Sequence, residues 1–139
     1  CSRLTNTVVF IVADHGHINV ENIDLRKYRD FTDCLIREPS LEPRAVNFFV
    51  KEKRKQKFEA LFCKYFSEDF DLYSKDEVIE SGLFGEGEEN EIFRDALEDY
   101  LAAAKTNKTL MTGFSPFKSH HAGMTEDELL VPLIAAVCK

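Results

Sequence analysis

All four histidines of the sequence fall in two places: His15 and His17 directly after an apolar run, His120 and His121 shortly before another. The run Thr7-Val-Val-Phe-Ile-Val-Ala13 ends in Asp14-His-Gly-His17, and Ser119-His-His-Ala-Gly123 leads towards Val131-Pro-Leu-Ile-Ala-Ala-Val137. Open α/β sheets bind ligands at strand ends, where loops present polar groups. Two such loops, roughly a hundred residues apart, suggest one site assembled by folding. Successive strand residues point to opposite faces, so Asp14 and His15 can share an ion only where the strand stops and turns. Gly16 is expected to supply that turn through its backbone freedom. A carboxylate oxygen with an imidazole nitrogen suits Zn²⁺, or Mn²⁺ if further oxygen ligands join. A lone Asp-His pair is also what an ordinary loop contains.

Thr7-Val-Val-Phe-Ile-Val-Ala-Asp-His-Gly16 resembles the metal-binding strand of the alkaline phosphatase superfamily, especially its nucleotide pyrophosphatase/phosphodiesterase-like branch. Ser119-His-His-Ala-Gly-Met-Thr-Glu-Asp-Glu-Leu-Leu-Val-Pro-Leu-Ile134 is similar to a late motif of that superfamily: a His, two small residues, an acidic helical turn and a Val-Pro-Leu strand. The resemblance implies a two-metal site for phosphoric ester hydrolysis. It places Asp14 and His15 on the ion beside a Thr or Ser nucleophile, and His121, which directly precedes Ala122-Gly123, on the other ion. His17 and His120 are additional histidines, each read as a donor behind the ligands, a surrogate ligand or a solvent-exposed bystander. In that family the nucleophile and an Asp-x-x-x-His motif precede the Asp-His-Gly strand, and only six residues precede Thr7 here. Residues 1–139 therefore read as the C-terminal part of such a domain, whose partner is its own missing N-terminal half. The chain alone is expected to be inactive and to hold its two divalent ions incompletely or not at all. The substrate of the parent would be a small phosphate ester. The rival reading is a non-catalytic interaction module or a degenerate relative.

The remaining features carry less chemistry. Ser115 and Ser119 lack a G-x-S-x-G elbow, and the acidic residues Glu86–Glu91 lack the spacing of a calcium loop. Lysines on one side of residues 51–66 read as a solvated helix face. The 139 residues carry 18 Lys and Arg against 25 Asp and Glu, a net charge of −7, which argues against nucleic-acid binding because phosphates need a cationic surface. No apolar run approaches the ~20 residues of a membrane span. Cysteines 1, 34, 63 and 138 form no CxxC pair and suggest a reducing, cytoplasmic compartment.

The elements that must position the histidines read as α/β: an alkaline phosphatase-like sheet fragment with helices on its faces and an inserted αβ cap-like segment. Residues 7–13 and 131–137 are apolar enough to be central strands of one sheet, buried on both faces. Leu25, Tyr28, Phe31, Cys34 and Leu35 line a short helical face before Pro39 and Pro43. Residues 45–105 are expected to form the cap-like layer. Within it, Ala45–Val50 and Phe70–Tyr73 read as strands. Lys51–Phe66 reads as a helix with Phe58, Leu61, Phe62, Tyr65 and Phe66 on one stripe, and Ser74 as the cap of a brief helix to Ser81. A further helix from Asn90 to about Lys105 is expected to face Ile92, Phe93, Ala96, Leu97, Tyr100 and Leu101 inward. Lys108–Thr112 is a short strand, 113–124 is irregular, and Thr125 with Glu128 has the spacing of a capping box.

Overall fold

The computed structural model describes residues 3–85 and 87–138, so Cys1 and Glu86 of the sequence reading lie outside the described residues. Along the chain run strands β1 (Thr7–Val12), β2 (Ile18–Asn19) and β3 (Glu21–Asp24), then the one-turn helix α1 (Arg29–Thr32). Strands β4 (Ser40–Glu42) and β5 (Ala45–Phe48) lead into helix α2 (Lys55–Phe66) and strand β6 (Phe70–Ser74). Helices α3 (Lys75–Glu80) and α4 (Phe93–Ala96) precede strands β7 (Tyr100–Ala104), β8 (Lys108–Met111) and β9 (Ser119–His120). The one-turn helix α5 (Glu126–Leu129) and strand β10 (Leu133–Cys138) complete a mixed α/β fold.

The core is built where sequence periodicity is strongest. An antiparallel sheet in the order β4-β5-β7-β6 receives α2 through Phe58, Phe62 and Phe66, all buried. These rings pack against Phe31 and, for Phe58 and Phe62, against Phe48 of β5. Each such side chain contributes about 1.5–3 kcal/mol by leaving water. Ser74 caps α3 in a reciprocal capping box with Glu77, as its position before a short apolar pattern indicates. Val78, Leu97 and Leu101 form a smaller buried cluster.

Two expectations need correction. The helix read over 90–105 is a single turn, α4, followed by β7 in the middle of the sheet between β5 and β6. Tyr100, Ala102 and Ala104 join the phenylalanine core, while Leu101 joins the opposite cluster. Both faces are buried, so no polar alternation marks the strand, and its alanines have the highest helix propensity of any residue. Ile92, expected inside, is 69% exposed.

The second correction concerns β1 and β10. They do pair, antiparallel, from Thr7 opposite Cys138 to Val12 opposite Leu133. Among the described residues, however, they form a two-stranded ribbon rather than the centre of a sheet. Val8, Phe10, Ile11, Val12, Leu133, Ile134 and Val137 are all exposed.

Candidate metal centre

Beyond the ribbon, a second ladder fixes the histidines. β2 pairs with β9 so that Ile18 faces His120 and Asn19 faces Ser119. Continuing this antiparallel register by one residue sets His17 opposite His121. Alternation along a strand then turns His120 the other way, where its Nε2 lies 3.3 Å from the Ser115 hydroxyl and its ring stands edge-on to Phe117. Burial holds the His120 pKa below the usual imidazole value, against the opposing effect of Glu42.

The rings of His15, His17 and His121 meet at this junction. His15 and His121 stack with centroids 3.9 Å apart and planes 10° off parallel. His17 stands tilted 5.1 Å from each. One nitrogen from each ring lies within 4.8 Å of the other two. His15 Nδ1 faces the Gly16 carbonyl at 3.0 Å. Such a contact fixes a ring's orientation and leaves the far nitrogen, Nε2, for a ligand. Asp14 sits at the rim: its Oδ2 is 3.6 Å from His15 Nε2, and its side chain is 89% exposed. The structure thus brings His15 and His121 together, adds His17 to them, keeps Asp14 beside His15 and turns His120 aside. Imidazoles with an adjacent carboxylate are a donor set that suits Zn²⁺.

Both histidine loops rest on one buried ion pair that sequence reasoning missed. Arg44 is fully buried and grips Glu128 from two sides, Nε donating to Oε1 and Nη2 to Oε2, each at 2.6 Å. Its third nitrogen donates to the Lys108 carbonyl at 2.7 Å. Glu128 also accepts the Gly123 N–H at 2.9 Å and the Thr125 hydroxyl at 2.5 Å. Burial raises the Glu128 pKa, but these hydrogen bonds together outweigh it and hold the group lowered to about 2. The capping box expected of Thr125 and Glu128 is present. Its carboxylate therefore serves helix cap, Arg44 and histidine loop at once. The signal for Arg44 is absent from the sequence, since one arginine after a proline follows no period.

The two motif glycines are explained by this pair. Gly16 is not in the left-handed region; its N–H donates to the Glu128 carbonyl at 2.9 Å. A Cβ there would lie 1.9 Å from the Asp127 carbonyl oxygen. Close approach, rather than the turn freedom expected from the sequence, demands glycine. At Gly123 a Cβ would lie 2.4 Å from Arg44 Nη2 and 2.7 Å from Glu128 Oε2. The α5 N-terminus is occupied by this arrangement, and its first turn carries Glu126, Asp127 and Glu128.

No family model and no curated protein matches the sequence. Solved structures do. Human ectonucleotide pyrophosphatase/phosphodiesterase 5 superposes with a TM-score of 0.67 at 17% identity over 94% of this chain and 34% of its own. The murine protein, also solved in an inactive form with AMP, gives 0.66 at 15% identity over the same shares. Phosphonoacetate hydrolase from Sinorhizobium meliloti, in complex with phosphonoformate, gives 0.60 at 16% identity over 95% of this chain and 36% of its own. The chain spans about a third of the length of each. At such identities the likeness is one of fold. Over that third, the chain shares the fold of these ectonucleotide pyrophosphatase/phosphodiesterase and phosphonoacetate hydrolase structures.

Proposed function

We propose that this chain supplies part of the site of a metal-dependent phosphoric ester hydrolase, phosphodiesterase- or nucleotide pyrophosphatase-like, whose nucleophile comes from polypeptide outside it. The observation that carries the reading is the meeting of His15 and His121 from two distant motif loops, in a fold shared with an ectonucleotide pyrophosphatase/phosphodiesterase and a phosphonoacetate hydrolase. Asp14 and His15 would serve the ion beside the nucleophile and His121 a second one. Bound divalent ions polarise a phosphoryl group, activate a nucleophile and stabilise a leaving oxygen. The protein's own contribution is to hold the ligands still: the Gly16 carbonyl orients His15, and the Arg44–Glu128 pair anchors both loops. Residues 45–105 would form a cap-like layer beside the site. Cys34, Cys63 and Cys138 are free thiols, and no helix among the described residues is long and apolar enough to cross a membrane.

The test is hydrolysis of a nitrophenyl phosphodiester, a nucleotide pyrophosphate and a phosphonate by the complete protein with Zn²⁺ or Mn²⁺. Asp14→Asn, His15→Ala and His121→Ala should each lower turnover at least about 100-fold, since even the outer partners of metal ligands are worth about 10–100-fold. The exposed apolar ribbon favours the rival, an interaction module. A complete protein that hydrolyses none of the three substrates would decide for that rival.

A further inference from the structure

We propose that in this chain by itself His15, His17 and His121 hold one divalent transition-metal ion, with His17 as the third ligand, in place of the two ions that His15 and His121 would serve in the complete hydrolase. The resemblance implies two ligands for one ion and a single His121 for another, and neither set suffices: catalytic zinc sites use three protein ligands and keep one position open. The fold supplies the missing ligand. The β2–β9 ladder places His17 across from His121, at the distance of a directly opposed strand pair. The turn after β1 then brings His15 onto both rings.

The nitrogens needed are free. Among the described residues, histidine-ring hydrogen bonds join His15 Nδ1 to the Gly16 carbonyl and His120 to Ser115, leaving His15 Nε2 and the rings of His17 and His121 without a partner of this kind. Zn–N bonds of about 2.0–2.1 Å place tetrahedral ligand nitrogens roughly 3.3 Å apart, and the three atoms already lie within 4.8 Å. The near-parallel stack of His15 on His121 points their lone pairs side by side rather than together. Capture therefore turns one ring about its Cβ–Cγ bond, a torsion with a broad profile. The Asp14 carboxylate stands beside this triad, its Oδ2 3.6 Å from His15 Nε2.

The inference rests on the metal reading of this junction and not on the phosphoric ester chemistry. It is tested on the 139-residue chain by titrating Co²⁺ against visible absorption and Zn²⁺ by calorimetry, in a Cys63→Ser background that removes the one exposed free thiol described. One ion per chain is expected, with a four-coordinate cobalt spectrum and submicromolar Zn²⁺ affinity. His17→Gln should weaken binding at least about tenfold, as should His121→Ala. His17 is exposed, so His17→Gln should leave the circular dichroism melt unchanged, which separates ligand loss from unfolding. Absence of binding, two ions per chain, or wild-type affinity in His17→Gln overturns the inference. A chain that captures one ion, within a complete protein that hydrolyses none of the esters, overturns the proposed function alone.

Discussion

Ala122 holds a φ of 75°, in the left-handed region that costs a residue with a Cβ roughly 1–2 kcal/mol. The strain sits one residue after His121 and directs the Gly123 N–H to Glu128. Ala122→Gly should therefore stabilise the protein by about 1 kcal/mol in urea denaturation without altering metal binding; a lower midpoint would mean the φ is held for another reason. The glycines behave oppositely. Gly16→Ala must displace the backbone of α5, whereas Gly123→Ala meets the ends of two side chains. Both should cost stability in the range of about 1–3 kcal/mol typical of overpacking, and Gly16→Ala should cost more. Equal losses would show that the Arg44–Glu128 pair is as unyielding as backbone.

At the scale of elements, that pair joins α5 to the loop before β5 and, through the Lys108 carbonyl, to β8. Arg44→Met should destabilise by about 3–5 kcal/mol, because it strands a buried carboxylate. Adding Glu128→Leu should recover part of that loss, and no recovery would contradict the pairing. Glu128 also gives a pH signature. Its folded pKa lies below the ordinary carboxylate range, so its stabilisation is complete above that range and is lost as pH falls towards about 2. Glu128→Gln should flatten the fall of denaturation midpoint over that acid window; parallel curves would refute the role. These elements were unevenly legible. β5, α2, β6, the Ser74 cap and the Thr125–Glu128 capping box could be read, because Phe58, Phe62 and Phe66 recur at helical spacing, Ser74 precedes a short apolar pattern and Thr125 precedes a glutamate at N3. β7 could not be, since a strand buried on both faces and rich in alanine imitates a helix. β3 lies parallel to β8, but Glu21-Asn-Ile-Asp24 carries no apolar period. In the candidate site, the two histidine loops were legible from residue type, whereas the preference for His121 over His120 came from the resemblance and its place before Ala122-Gly123. The place of His17 was not legible, because it depends on the register of a two-residue ladder, and Arg44 depends wholly on tertiary packing.

For the whole molecule, the contrast is between the phenylalanine core and the β1–β10 ribbon. A lone two-stranded ribbon is marginally stable in water, and its exposed Phe10, Ile11 and Leu133 stabilise it little. Backbone amides of β1 and β10 should exchange with solvent long before those of β5 and β7. Addition of the remaining polypeptide of the proposed hydrolase should slow them. Equal protection in the isolated chain would show that the ribbon needs no cover. The pairing of Thr7 with Cys138 also decides how the molecule answers force. Both ends of the chain leave from the same end of an antiparallel ladder, so tension across the termini unzips β1 from β10 one bond at a time instead of shearing all of them together. Once Val12 and Leu133 part, the load falls next on the Gly16 contact with Glu128 and on the histidines above it, while the four-stranded sheet still stands. A pull on the chain ends would thus open the histidine junction first and the core last.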